Sequence, residues 1–392
     1  MRFLRFTLSS TLKPSSLRRQ GPKFCQHPGN ASNLPPACTG ATCIGYVHNS
    51  EIILLTFFNE HHAQHHSRAT HPGTGGPCSD TPDRADIVVA ELHGRGLGQI
   101  VTPHGISLAS LERVHTPRYL HFLRSAWSAW LALDPRNAGR DILPWVWPVR
   151  TQRHDIEPDD FAARLGLHAM DGATPLTAGT WIAAKTGADC AINAAHALRL
   201  GEHASFALTR PPGHHAGAEH FGGGCFINNA ALAAQHLLDD GLERVAILDL
   251  DAHHGNGTQS IFYERREVLF ISIHADPHTA FPYYSGHADE IGAGAGLGCN
   301  MNLPLARGAG PTQWFAALET ACLKMAGFAP QALVVSLGVQ QHFGLGGADF
   351  LRIGERIGYL GLPTAFVLEG GAAEPELGIK VVNVLDGFET LA

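Results

Sequence analysis

Val245-Ala246-Ile247-Leu248-Asp249-Leu250-Asp251-Ala252-His253-His254-Gly255-Asn256-Gly257 runs from an unbroken apolar segment into two carboxylates, two imidazoles and two glycines. The apolar part has the length and composition of a strand buried on both faces. The polar part follows at its carboxyl end. Buried charge is costly unless it is paired or bound to a metal. If the strand period continues, Asp249, Asp251 and His253 share one face, and Gly255 and Gly257 let the chain turn after them. A carboxylate beside an imidazole suits zinc or a similar divalent ion. The competing reading is a helix cap followed by a solvated turn.

Four more apolar segments end in polar clusters. Residues 205–208 lead into Arg210-Pro211-Pro212-Gly213-His214-His215. Residues 268–273 lead into His274-Ala275-Asp276, residues 332–337 into Gly338-Val339-Gln340, and residues 364–368 into Glu369-Gly370-Gly371. Helical patterns lie between most of them. This alternation predicts an α/β fold with a mainly parallel sheet covered by helices on both faces. Ligands in such sheets bind beyond the carboxyl ends of the strands, so the five clusters should converge. His214 and His215 are then candidates for a general base and its electrostatic partner. Phe221-Gly222-Gly223-Gly224-Cys225-Phe226-Ile227-Asn228-Asn229 reads as a glycine-rich turn into a helix, able to line a narrow channel with Phe281 as an apolar wall.

Elsewhere the pattern is plainer. Residues 51–58 read as a first strand, 85–97 and 180–199 as helices, and 108–133 as an apolar-periodic stretch with Trp127 and Trp130 on its core face. Residues 67–82 and 140–178 read as loops. His61 and His65 have the spacing of a helical metal pair but lack a neighbouring acid motif, so they are read as loop residues. Asp155, Glu157, Asp159 and Asp160 admit two readings: a solvated acidic loop, or a rim that attracts a cationic ligand.

The chain has 392 residues, 44% hydrophobic and 16% charged, enough for one large α/β domain. A formal charge of -7 argues against nucleic acid as the main partner. No apolar run has the length of a membrane span. Eight cysteines without a CxxC pair point to reduced thiols and a cytoplasmic protein. Residues 1–50 hold no acidic residue, with Arg2, Arg5, Lys13, Arg18, Arg19 and Lys23 among serines and prolines. Such a segment fits a disordered extension or, alternatively, an organelle-targeting peptide. The globular domain is expected over residues 51–392.

The motifs Arg210-Pro-Pro-Gly-His-His215, Gly224-Cys-Phe-Ile-Asn-Asn229, Asp249-x-Asp-x-His-His-Gly-Asn-Gly257 and Glu369-Gly-Gly371 together resemble the zinc-dependent deacetylase family. That family includes histone deacetylases and bacterial acetylpolyamine amidohydrolases. Ser272-Ile-His-Ala-Asp-Pro277 and Pro375-Glu-Leu-Gly378 look most like the amidohydrolase branch. The resemblance implies a single-domain, three-layer αβα fold of the arginase/deacetylase kind. It implies hydrolysis of an acetyl-amide bond in a small acetylated amine or acetyl-lysine, giving acetate and a free amine. By position, His215 is the general base and His214 its partner on the oxyanion side. Asp251, His253 and the position of Gln340 belong to the Zn2+ site, while Asp249 and Ser272 belong to a structural K+ site. Phe281, Gly224 and Gly371 line the substrate channel. A homodimer is the expectation for this branch.

Two departures stand out. The family has an aspartate zinc ligand where this chain has Gln340, and a catalytic tyrosine where it has Ala372. The segment between Gln340 and Phe350 is also shorter than the family pattern, and Gly224 stands where an aromatic wall is usual. Losing one oxyanion donor typically costs about 10²–10³ in turnover. The resemblance therefore leaves two functions open: an impaired deacetylase, or a non-catalytic protein that binds acylated amines. His342, two residues past Gln340, is a candidate replacement ligand. The sequence argues against an arginase-type manganese enzyme, because Gly255 follows His253-His254 where a second aspartate is needed and no later Asp-x-Asp pair follows.

Overall fold

Among the described residues, eight strands form one sheet in which every neighbour pair is parallel. The structure is a computed structural model and describes residues 54–67, 80–340 and 342–391. The N-terminal extension and the first three residues of the expected first strand lie outside the described residues. The strands are β1 (Leu55–Phe58), β2 (Gln99–Val101), β3 (Ala204–Leu208), β4 (Val245–Asp249), β5 (Val268–Ala275), β6 (Asn300–Leu305), β7 (Ala332–Leu337) and β8 (Thr364–Leu368). Their order across the sheet is β2-β1-β3-β8-β7-β4-β5-β6.

The helices are α1 (Asp83–Arg95), α2 (Leu108–Leu111), α3 (Pro117–Leu133), α4 (Phe161–Leu167), α5 (Thr180–Arg199), α6 (Asn229–Asp239), α7 (Asn256–Phe262), α8 (Pro311–Phe328), α9 (Gly347–Gly358) and α10 (Pro375–Glu389). Strand alternation divides the core into two layers. Val245, Ile247, Val268, Phe270, Val334 and Val367 pack against α3, α5 and α6. Ala246, Leu248, Leu269, Ile271, Val335 and Phe366 pack against α1, α8, α9 and α10. Both faces are covered, which is why the central strands carry continuous apolar runs. Trp127 and Trp130 pack partly buried against the first layer, as expected of core residues.

Several boundaries differ from the sequence expectation. Residues 108–133 divide into α2 and α3, because Thr116 caps a new helix by accepting from the Tyr119 N–H at 3.3 Å, with Pro117 at its first position. Helix α4 interrupts the expected loop over 140–178. Strand β6 holds two asparagines and Pro304; as an edge strand it tolerates them. The described cysteines, Cys190, Cys225, Cys299 and Cys322, are free. No helix among the described residues is long and apolar enough to cross a membrane.

The order of the sheet locates the site. Strands β3 and β4 are consecutive in the chain, yet β8 and β7 lie between them. The carboxyl ends of β3, β8, β7 and β4 are therefore neighbours at the place where the winding reverses, the position at which α/β sheets bind ligands.

Candidate active site

Four of the five predicted strand-end clusters meet around one cavity of about 760 Å³, lined by His214, His215, Asp251, His253, Gln340, Gly370 and Ala372 among others. The expected channel residues Phe281, Gly224 and Gly371 line it as well. Its size falls in the range of small-molecule sites.

The stretch after β4 is held differently from the sequence reading. The strand ends at Asp249, so strand alternation does not align Asp251 and His253. Two side chain-to-backbone turns do so instead. Asp249 Oδ1 accepts from the Asp251 N–H at 3.0 Å, and Asp251 Oδ1 accepts from the His253 N–H at 2.9 Å. Gly255 is also not a conformational hinge: a Cβ there would lie 2.1 Å from Asp249 Oδ2, so glycine makes room for a buried carboxylate.

His214 Nδ1 donates to Asp249 Oδ2 at 2.9 Å, and both residues are buried. Burial alone would lower the His214 pKa. The Asp249 and Asp251 carboxylates outweigh it and raise the pKa to about 10, so this imidazole is charged at neutral pH. His215 Nδ1 donates to Asn256 Oδ1 at 2.7 Å, while the Asn256 amide nitrogen faces Met170 Sδ at 3.5 Å. Burial, then the neighbouring imidazoles of His214 and His253, hold His215 well below the usual imidazole range. It is neutral, and its Nε2 keeps a lone pair. The two rings stand 4.0 Å apart, one a fixed cation and one a free base. Phe281 meets the His215 ring edge-on at 5.0 Å. The glycine-rich turn closes over the same ring: Gly223 has φ +58, and a Cβ there would lie 2.3 Å from His215 Cδ2. As expected, this turn leads into a helix, α6, capped by Asn228.

Asp251 Oδ1 and His253 Nδ1 lie 3.4 Å apart, a separation that two ligands of one tetrahedral zinc ion take, given bonds of roughly 2.0–2.2 Å. Gln340 sits beside them with its amide committed. Its Nε2 donates to Asp251 Oδ2 at 2.7 Å, and its Oε1 accepts from the Ala252 N–H at 3.2 Å. It turns a donor toward the carboxylate and offers no lone pair there. The donor set thus fits a divalent ion at two positions, with the third taken by a hydrogen bond. The His342 ring stands 5.7 Å from the His253 ring at the rim and is exposed.

Asp249 and Ser272 are register partners on β4 and β5. Their side chains already serve His214, the Asp251 N–H and His274, the last through a 2.8 Å contact between Ser272 Oγ and His274 Nδ1.

Glu369, Asn256, Asp80 and Arg84 had no role assigned from the sequence. Glu369 is buried and accepts from the Gly213 and His214 N–H groups at 2.7 and 3.1 Å and from Ser336 Oγ at 3.1 Å. It ties the His214 backbone to the ends of β7 and β8, and burial raises its pKa to about 7 against the pull of His214. Arg84 reaches Asp80 at 2.6 Å and also the Glu369 carbonyl. Arg210 donates to Asp80 at 3.1 Å and to the His62 carbonyl at 2.6 Å. Glu369 and Asn256 belonged to quoted motifs; Asp80 and Arg84 to none. His61 and His65 flank a short 3-10 turn, as loop residues, and His65 also lines the cavity wall, buried and bonded to Thr180 Oγ1 at 2.9 Å. Asp155, Glu157, Asp159 and Asp160 do not line the cavity. Asp155 pairs with Arg153, Glu157 lies 3.7 Å from Arg164, and Asp160 caps α4. The acidic groups on the cavity wall are Asp80, Asp171 and Asp251.

The Histone deacetylase domain family matches residues 79–377. The chain belongs to that family. It is 47% identical over 346 residues to Acetylpolyamine amidohydrolase 2 of Pseudomonas aeruginosa, covering 86% of this chain and 99% of the relative. It is 40% identical to the Acetylpolyamine amidohydrolase of Mycoplana ramosa over 85% of this chain and 98% of that one. A crystal structure of the acetylpolyamine aminohydrolase from Burkholderia pseudomallei superposes with a TM-score of 0.81 at 38% identity, over 86% of this chain and 99% of that one. The fold is therefore the arginase/deacetylase-like α/β fold that the motifs implied, and deacetylases of this family are in general zinc-dependent.

Proposed function

We infer that this protein is an amidohydrolase that removes acetyl groups from small acetylated amines such as acetylpolyamines, with turnover reduced by Gln340 and Ala372. The observation that carries the reading is the pair of imidazoles: a charged His214 beside a neutral His215, both facing the cavity that Asp251 and His253 line. His215 Nε2 is available to take a proton from an attacking water, with Asn256 fixing the tautomer. His214, held as a cation by Asp249, would stabilise negative charge developing on the acetyl oxygen. Phe281 and the Gly223-Gly224 turn exclude water from one side. Asp251 and His253 are the residues to hold zinc, which when bound supplies Lewis acidity to the reaction. With Gln340 as placed, two protein ligands hold it more weakly than three. A structural potassium ion at Asp249 and Ser272 would draw on backbone carbonyls, since their side chains are spent on other partners.

Acetate release from N-acetylputrescine and from an acetyl-lysine probe tests this reading, with zinc analysis of the same sample. Release above a His215→Ala control supports it, and release equal to that control rejects it. A second reading has its own support: Ala372 places no hydroxyl at the cavity wall, and Gln340 satisfies Asp251 without a cation. On that reading the protein binds acylated amines or hydroxamates without turnover, so measurable binding with no acetate favours it. If His342 serves as a third ligand, zinc content falls in His342→Ala; unchanged content removes it from the site. The same proposal takes residues 51–392 as the functional domain, a cytoplasmic location, and a homodimer that light scattering checks.

A further inference from the structure

Helices α5 and α6 pack against each other on one face of the sheet and finish together. His196 lies in the last turn of α5, His236 in the last turn of α6, and Asp240 caps α6. His196 Nδ1, His236 Nε2 and Asp240 Oδ2 form a nearly equilateral triangle. The imidazole nitrogens are 3.5 Å apart. His196 Nδ1 is 3.6 Å and His236 Nε2 is 3.4 Å from the carboxylate oxygen. The same atom of each residue makes both of its contacts.

These lengths are not those of hydrogen-bonded His–Asp pairs. The exposed pair His278 and Asp276 closes to 2.7 Å in this protein, and His214 with Asp249 to 2.9 Å. A contact of about 3.6 Å is too long to count as a hydrogen bond. The point equidistant from the three atoms is instead about 2.0 Å from each, since the circumradius is the mean side over √3. That is the bond length zinc makes to imidazole nitrogen and carboxylate oxygen, roughly 2.0–2.2 Å. The geometry points to a divalent transition-metal site with His196, His236 and Asp240 as ligands and its remaining position open to solvent.

The surroundings agree. The carbonyl ends of two helices meet here, and helix C-termini favour positive charge. Two imidazoles with one carboxylate favour zinc, nickel or copper over magnesium or calcium. Arg199 is the opposing charge; its guanidinium donates to the Asp240 carbonyl at 3.0 Å. Asp239, beside the site, is engaged by Arg113 and Gln235. None of the three ligands lines the cavity of the candidate active site, so this metal would clamp α5 to α6 away from the chemistry.

The test is a zinc titration of chelator-stripped full chain, followed by calorimetry and metal analysis. It is run on the unaltered protein and in an Asp251→Asn/His253→Ala background that removes the other metal. One equivalent is expected to disappear in both backgrounds on His196→Ala, and again on His236→Gln. Cobalt(II) should give the visible absorption of low-coordinate cobalt in the Asp251→Asn/His253→Ala background and lose it with His196→Ala. Because His196 is about half exposed, its truncation should leave the circular dichroism spectrum and acetate release unchanged. A zinc stoichiometry unaffected by either histidine substitution overturns the site.

Discussion

Gln340 Nε2 donates to Asp251 Oδ2 at 2.7 Å, in the place where the family's third metal ligand would face the same carboxylate. An amide there satisfies Asp251 without a cation, whereas a second carboxylate would need one to offset like-charge repulsion. Gln340→Asp should therefore raise the zinc that depends on Asp251 and His253 toward one equivalent, counted apart from any zinc lost with His196→Ala, and lower the Tm of the metal-free protein. Adding Ala372→Tyr should raise acetate release by about 10²–10³ over Gln340→Asp alone, the usual effect of one oxyanion donor. Metal analysis, thermal melts and acetate assays on the two variants check both steps. A double variant that holds full zinc and stays inert would show that the defect lies elsewhere.

The His214–Asp249 pair is buried on both sides. Truncating Asp249 leaves a buried imidazolium without its counter-charge and frees the Asp251 N–H. Removing one partner of such a pair costs about 3–5 kcal/mol. Asp249→Ala should lose that much stability in urea unfolding, while Asp155→Ala, which breaks a fully exposed pair with Arg153, should change little.

The fold was legible where residues are buried on both faces. The runs at 245–248, 332–335 and 365–368 are apolar without alternation because helices cover both sides of the sheet, and the strand bounds follow closely. Strand β6 was illegible because an edge strand tolerates Asn300, Asn302 and Pro304, which argue against a strand locally. In the site, His214, His215, Asp251 and His253 announced themselves by residue type at strand ends. Asp80 and Arg84 did not, since a local i,i+4 pair shows nothing of its contacts with Arg210 and the Glu369 carbonyl; Asn256 stood in the quoted stretch, but its bond to His215 joins residues 41 apart. The reason that Asp251 and His253 align was also misread: side-chain turns hold them, a detail that period-two reasoning cannot supply.

Gly354 tests the packing of α9 on α10. In an open helix, alanine would gain about 1 kcal/mol over glycine. Here a Cβ would lie 2.0 Å from the Val384 carbonyl oxygen and 2.8 Å from the Phe388 nitrogen. Both are backbone atoms that cannot swing away, so the helices must separate, and overpacking of this kind costs typically about 1–3 kcal/mol or more. The steric term wins. Gly354→Ala should lower the urea midpoint, whereas Gly327→Ala in α8, with nothing within 4 Å of its Cβ, should hold or raise it.

Glu389, in the last turn of α10, gives a pH-dependent prediction independent of the active site. Burial and then the nearby Glu202 carboxylate raise its pKa from 4.5 to about 7, and its Oε1 is buried without a hydrogen-bond partner. A carboxyl whose folded pKa lies above its unfolded value is disfavoured in the fold once ionised. Below about pH 4.5 the group is protonated in both states and costs nothing. Between pH 4.5 and 7 the unfolded chain ionises first, and the penalty grows; above pH 7 it is complete. Glu389→Gln removes the charge while keeping the shape. Its Tm should therefore exceed that of the unaltered protein at pH 8, and the gain should shrink to nothing by pH 4. Thermal melts across that range check the sign, and a gain that is constant with pH would mean that ionisation of Glu389 is not its source.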